Sequence, residues 1–377
     1  MAKKILITGG AGFIGSHLVD FLIENTDYVV TVYDQLEEQV HGKNDNLPDY
    51  LNKEARFIRG SVTNYEKFEE VVKSNDIIFH LAARVGVGQS MYQISNYIDN
   101  NINGMANLLN ILVNSEHNIR KVIIASSNTV YGDGKALCPK CGVIYPKLRL
   151  PNQLKKKDWE LNCPDCGGKV KPALTDENTP YDPSSIYALS KKVQEEMSLM
   201  IGEVFGINIA ILRYFLVYGP RQALSNPYTG VCSIFSSRLL NGNHPIVFED
   251  GLQSRDFVNV SDVCQASLLA LNNQAANGKI FNVGTGIPIT IREVAEIITD
   301  KINPTLKPIY NQQYRVGDVR HCVADISKIK NTLGYDPKVS FKQGIEEYIK
   351  WIELQGNVSI DKTESAFKEL KEKNLLK

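Results

Sequence analysis

KKILITGGAGFIGSHLVDFLIEN, running from Lys3 to Asn25, is the stretch that decides the fold. An apolar run ends in a glycine-rich turn, Gly9-Gly10-Ala11-Gly12-Phe13-Ile14-Gly15, and the turn opens a helical pattern. Glycines spaced in this way between a strand and a helix have a physical use. They permit a tight turn, let a pyrophosphate approach bare backbone, and let helix and strand pack closely, with the helix N-terminus facing the phosphate charge. The same pattern also suits an ordinary strand–helix turn, so the flanking chain has to be read with it.

Further apolar runs follow: YVVTVYD (28–34), ARFIRG (55–60), DIIFHLAA (76–83), KVIIASS (121–127) and NIAILRYF (208–215). None alternates strictly, as expected of strands buried on both faces, and helical patterns fall between them. This order predicts an α/β fold with a doubly wound parallel (Rossmann) sheet. Asp34 ends the second run. A carboxylate there accepts both ribose hydroxyls of an adenosine and repels a 2′-phosphate, which favours NAD over NADP. The plainer reading of Asp34 is a strand-end turn residue.

The chain has 377 residues, enough for two domains and an insertion. Hydrophobic residues at 43% and charged residues at 22% are ordinary for a globular protein. Lys+Arg and Asp+Glu balance at 42 each, so no global charge argues for nucleic acid or a membrane surface as partner. The start, MAKKILITGG, enters a strand directly and lacks the apolar region of a signal peptide, and no apolar run is long enough to span a membrane. The expected location is the cytoplasm.

In SSIYALSKK, Tyr187 and Lys191 are four residues apart at the start of a helical pattern and so share a face. A phenol titrating near 10 is a poor base at neutral pH. An adjacent ammonium and the positive ring of bound NAD⁺ would favour its ionised form. Ser127 ends the fifth run, where its hydroxyl can reach the same substrate oxygen as Tyr187. The plainer reading makes Ser126 and Ser127 strand-end caps.

TGGAGFIGS, HLAA, NNING, SSNTVYG, YALSK, VYGPRQ and SRDFVNVSDV, in this order, resemble the extended short-chain dehydrogenase/reductase family, and within it the nucleotide-sugar epimerases. The resemblance runs from Lys4 to about Trp351. It implies Ser127, Tyr187 and Lys191 as catalytic residues. It implies tightly bound NAD held by Gly9, Gly12, Phe13, Ile14, Gly15, Asp34, Ser61, Val62, Leu81, Ala82, Ala83, Asn101, Tyr187, Lys191 and Tyr214. It implies a nucleotide-diphospho-sugar substrate met by Ser90, Ser127, Arg221, Gln222, Asn226, Arg255 and Arg315, with Arg255 and Arg315 clamping the diphosphate. A homodimer is also implied.

Asn128 and Thr129 stand where dehydratases of this family carry an Asp-Glu pair, and neither can act as a carboxyl acid. Epimerisation needs no such pair. The combination ARVGVGQSMYQI, PRQALSNPYTGVCSIF, FEDGLQSRDF and YRVGDVRHC is similar to the dTDP-L-rhamnose 4-epimerase group, implying inversion at C4 to dTDP-6-deoxy-L-talose. UDP-hexose 4-epimerase and CDP-sugar 2-epimerase remain alternatives. So does, from another class, a catalytically impaired protein that only binds NAD or a nucleotide sugar. Two positions depart from the family: Leu216 replaces an Asn that contacts substrate, and Ser61 replaces an Asp at the adenine.

Cys138, Cys141, Cys163 and Cys166 form two CPxCG knuckles, read as a four-thiolate structural zinc ribbon with no open position for catalysis. The ribbon is inserted between the fifth strand and Tyr187, where it is expected to wall the substrate pocket or build a subunit contact. Its linker, KLRLPNQLKKKDW, is either a solvated basic loop or a lure for an anionic substrate. Cys232, Cys264 and Cys322 lack ligand spacing, and His321 reads as structural. The expected organisation is a NAD-binding domain (1–136 and 173–218), the ribbon (137–172), a smaller substrate lobe (219–355) and a helical tail (356–377), with part of 250–270 returning to the parallel sheet. The tail carries Ala366, Phe367 and Leu370 on one stripe that packs on the body or on a neighbour.

Overall fold

The computed structural model describes residues 3–43, 46–228, 230–355 and 359–377. Its main sheet has seven parallel strands: β1 (Lys4–Thr8), β2 (Val29–Asp34), β3 (Arg56–Arg59), β4 (Ile77–His80), β5 (Lys121–Ser127), β6 (Ile209–Tyr214) and β7 (Lys279–Val283). Their spatial order is β7-β6-β5-β4-β1-β2-β3, reversing direction of growth beside β1 as a doubly wound sheet does. All seven residues of β5 are buried, which is why its sequence shows no alternation. Leu18, Val19 and Leu22 pack one helix layer onto one face, and Leu108, Leu109 and Leu112 pack another onto the opposite face.

Two boundaries differ from expectation. β4 ends at His80, so Leu81–Ala83 leave the sheet as open chain at its carboxyl edge. The return to the sheet is made by β7, not by residues within 250–270. Ser254–Asn259 instead pairs with Leu216–Tyr218, Pro288–Thr290 and His321–Cys322 in a separate small sheet. Val260–Asn272 is a helix whose Val263, Ala266 and Ala270 join the core beneath the main sheet. β7 is short, KIFNV between two glycines, and gives little periodic signal.

The smaller lobe closes over its own core, where Phe235, Phe257, Ile298, Ile345 and Tyr348 meet. The cysteine-bearing insertion is a three-stranded antiparallel sheet, Gly142–Ile144, Lys135–Cys138 and Lys171–Ala173, in that order. A final helix, Thr363–Glu372, follows the lobe. Among the described residues no helix is long and apolar enough to cross a membrane.

Candidate active site

A cleft of about 610 Å³ lies along the carboxyl edge of the main sheet. Its cofactor end is the glycine-rich turn. Gly9 has φ +70°, and a Cβ there would meet the Ala82 backbone at 2.9 Å. A Cβ on Gly15 would lie 2.3 Å from the Gly9 carbonyl oxygen. Gly9, Gly12, Phe13, Ile14 and Gly15 all line the cleft, as do Asp34, Ser61, Val62, Leu81, Ala82 and Ala83. The Asp34 carboxylate accepts from the N–H of Ala11 at 3.1 Å and of Leu36 at 2.8 Å. Asp34 therefore holds the turn while lining the cleft. Ser61 accepts from the Thr63 N–H at 3.2 Å and shares a 2.8 Å hydroxyl contact with Thr63, so part of its capacity is spent locally. Bare backbone beside a carboxylate at the end of β2 fits an adenine dinucleotide lacking a 2′-phosphate.

The parallel register of β5 and β6 sets Ser127 opposite Tyr214, at the sheet's carboxyl edge. Ser127 Oγ accepts from the Thr129 N–H at 3.2 Å and caps the short turn Asn128–Tyr131. The same hydroxyl acts on the Tyr187 phenol, favouring its ionised form. Ser127 thus caps this turn while lining the cleft. Tyr187 and Lys191 sit in the first turns of the helix Ile186–Phe205, which Ser185 caps by accepting from the Ala188 N–H at 3.1 Å.

Burial pushes the Tyr187 phenol up to about 12, opposed by the Ser127 hydroxyl. Burial pushes the Lys191 ammonium down to about 8, opposed by Glu195. The Lys191 ammonium donates to the Ala125 carbonyl at 2.8 Å. In the protein alone, then, burial outweighs the expected pull of the ammonium on the phenol. Behind these residues lies a buried network that the sequence reading missed. Arg213 forks onto Glu195 at 2.6 and 2.9 Å and donates to the Tyr131 hydroxyl at 2.6 Å, and Ser126 also bonds Glu195.

Three residues assigned by resemblance do not line the cleft. Asn101 is fully buried: a π-helical segment, Ile98–Asn103, turns it inward. It accepts from the Arg84 N–H at 2.8 Å and donates to Ser190 at 2.9 Å, tying the loop after β4 to the Tyr187 helix, while its neighbour Asn100 reaches the cleft. Ser90 is also fully buried and accepts from the Tyr187 N–H at 3.1 Å. Arg221 pairs with Asp20 at 2.6 Å and lies over the Tyr50 ring, away from the cleft. All three spend polar groups on contacts within the chain.

Gln222, Asn226, Arg255 and Arg315 do line it. Asp318 ties the arginines together, at 2.8 Å from Arg315 and 3.4 Å from Arg255. Gln253 also lines the cleft, and its Oε1, like that of Gln222, is buried without a partner, leaving two acceptors for a ligand. Gln253, two residues before Arg255 and just ahead of the strand Ser254–Asn259, was not singled out from the sequence. Leu216 lines the cleft and brings no hydrogen-bonding group.

The four cysteine sulfurs of the insertion lie within 4.8 Å of one another, with Cys138 and Cys166 at 3.6 Å. That exceeds a disulfide and matches the edge of about 3.8 Å of a tetrahedron with Zn–S bonds of about 2.3 Å. Backbone N–H groups of Lys140 and Cys141 point at the Cys138 sulfur. The insertion does not wall the cleft: none of its residues lines it. It grips the chain that does. Arg149, buried, donates to Glu249 at 2.8 Å and to the Asp318 carbonyl at 3.0 Å. Glu160 binds Arg320 and His321, the latter at 3.1 Å, and Trp159 packs on Tyr314 at 6.2 Å. His321 is structural, as expected. The basic linker splits, with Arg149 consumed in this network and Lys155, Lys156 and Lys157 solvated.

Comparison with known proteins gives two family matches. Residues 5–146 match the NAD dependent epimerase/dehydratase family, and residues 166–348 match GDP-mannose 4,6 dehydratase. The chain is 33% identical to a dTDP-L-rhamnose 4-epimerase of Burkholderia thailandensis, over 93% of this chain and 95% of that one. It is 35% identical to a putative UDP-glucose 4-epimerase of Methanocaldococcus jannaschii, over 92% and 98%. A solved structure of UDP-glucose 4-epimerase with UDP-glucose from Thermotoga maritima superposes with a TM-score of 0.76 at 30% identity, over 93% and 99%.

Proposed function

Because the chain belongs to the NAD-dependent epimerase/dehydratase family of extended short-chain dehydrogenases/reductases, as a nucleotide-sugar epimerase, we propose that it inverts C4 of dTDP-L-rhamnose to give dTDP-6-deoxy-L-talose. The observation that carries the reaction is the convergence of Ser127 and Tyr187 between a NAD-shaped cradle and the Arg255–Asp318–Arg315 cluster. Bound NAD supplies a hydride acceptor and donor. Tyr187 removes and returns the proton on the C4 oxygen, and Ser127 hydrogen-bonds that oxygen. The transient 4-keto sugar turns over within the cleft. Asn128 and Thr129 offer no acid for eliminating water, so the keto sugar has no route to a dehydrated product.

The rhamnose assignment is supported by the Burkholderia relative and by the apolar lining at Val85, Val87 and Met91, which suits a methyl at C6. The UDP-glucose relatives favour a second reading, UDP-hexose 4-epimerisation. Proton NMR of the purified protein with dTDP-L-rhamnose, without added NAD, tests the first. A 4-epimer signal set supports substrate and retained cofactor together. No conversion of dTDP-L-rhamnose with conversion of UDP-glucose selects the second, and no conversion of either sinks both.

The four thiolates are read as holding one structural zinc, which would join two knuckles that share only a tiny core. The chain is also read as a homodimer.

A further inference from the structure

The final helix, Thr363–Glu372, lies past the family match, which ends at residue 348, yet it is seated in the cleft. Ala366, Phe367 and Leu370 line the cavity, as does Leu375 just beyond the helix. The segment is held along its length. Arg238 binds Glu364 at 3.0 Å and Asp361 at 3.5 Å. The Tyr228 hydroxyl donates to Glu369 at 2.6 Å. Past the helix, the Val316 N–H donates to the Leu375 carbonyl at 2.9 Å, and Tyr314 and Lys377 exchange backbone bonds at 2.8 and 3.0 Å. The segment therefore pairs with the chain on both sides of Arg315.

Phe367 and Leu370 stand one turn apart on the cleft face, and they meet different ends of the site. The Phe367 ring lies 5.2 Å from Phe248, over which the Arg315 guanidinium sits at 5.4 Å. Leu370 meets Gly88, where a Cβ would lie 3.3 Å from its Cδ2. Gly88 belongs to the turn that ends at Ser90, the residue bonded to the Tyr187 N–H. Leu370 thus continues the apolar wall of Val85, Val87 and Met91 toward the reacting end. The arginines that line the cleft, Arg255 and Arg315, lie at the other end. A sugar carboxylate against Leu370 would be stripped of water with neither arginine beside it, a costly arrangement.

We propose that the final helix is a specificity element of the nucleotide-sugar site: Phe367 backs the nucleotide end, and Leu370 gives the sugar end an apolar wall that accepts a 6-deoxy sugar and rejects a uronate. This rests on the nucleotide-sugar reading above. Calorimetry on the NAD-loaded protein, with dTDP alone, UDP-glucose and UDP-glucuronate, tests it, because the two UDP sugars differ only at C6. Phe367→Ala is expected to weaken dTDP about tenfold. Leu370→Arg is expected to narrow the preference for glucose over glucuronate about tenfold, by giving the carboxylate a partner, and to leave dTDP within about twofold. Leu370→Ser, a milder change, is expected to shift the same ratio in the same direction. If folded, NAD-retaining variants leave both the ratio and the dTDP affinity unchanged, the helix is no specificity element. If the wild type binds no nucleotide or nucleotide sugar at all, the underlying reading fails with it.

Discussion

Lys191 is a buried ammonium whose hydrogen-bond partner is a backbone carbonyl, Ala125 at 2.8 Å. Burial lowers its pKa from 10.5 to about 8, against the pull of Glu195. Between those values the unfolded chain binds more protons than the folded one, so stability rises with pH from about 8 to 10.5. Below about 8 the charge costs the fold up to about 3 kcal/mol. Lys191→Met should therefore be more stable than the wild type by that order at pH 7, with the gap closing as pH approaches 10.5. Denaturant unfolding across this range measures it, and a pH-independent gap would refute the burial argument. Tyr187 presents the opposite case. Its phenol is neutral well beyond physiological pH because burial holds it near 12, so its proton must be drawn off by charge brought into the cleft. Tyr187→Phe should keep the fold and NAD, and lose about 10²–10⁴ in turnover. Loss of bound NAD in this variant, measured by absorbance of the protein-released cofactor, would instead make Tyr187 a cofactor anchor.

At the scale of elements, what was legible followed from local chemistry. GxxGxxG, the strand-end Asp34, the YxxxK spacing and the paired knuckles each demand specific residue types at fixed separations, and all of these came together in space. Asn101 and Ser90 misled because polar residues near a site look alike in sequence whether they face the ligand or brace what does. A π-helical turn decided Asn101, and that turn is a product of packing. Glu195 and Arg213 were hidden for the related reason that their pairing joins a helix to a strand across eighteen residues. The insertion's role was also beyond sequence, since its grip on Tyr314–His321 is made by Arg149, Trp159 and Glu160, none of which belongs to a knuckle. If zinc holds the knuckles together, Cys163→Ser with Cys166→Ser should lower bound metal from one ion per chain to none. It should also expose 137–172 to protease while NAD stays bound. Plasma emission spectrometry and limited proteolysis report the two effects, and an ion retained in full would dismiss the ribbon.

Among the described residues, an apolar stripe lies exposed on the helix that carries the catalytic pair. On the helix Ile186–Phe205, Leu189, Met200, Val204 and Phe205 are exposed, Met200 and Val204 by 63% and 69%. Leu189, Val193, Met197, Met200 and Val204 recur at helical spacing along one outward stripe, with Val193 and Met197 half-buried. The adjoining helical segment contributes Ile94, 48% exposed, with Ile98 and Ile102 following at four-residue intervals. Two neighbouring helices with apolar outer faces cannot bury them within one chain, whereas a second copy across a twofold axis would bury all four helices as a bundle. This surface is also the back of the site. The same helix carries Tyr187 and Lys191, and Asn101 ties its first turns to the segment bearing Ile98 and Ile102. Pairing would therefore brace the catalytic helix along its length. Sedimentation should give the mass of two chains, and Met200→Glu combined with Val204→Lys should give one. Because these side chains lie on the outer face, well past the catalytic turns, the single chain should keep its NAD but unfold at a lower temperature. A wild-type monomer, or a variant that remains paired, would locate the interface elsewhere or abolish it.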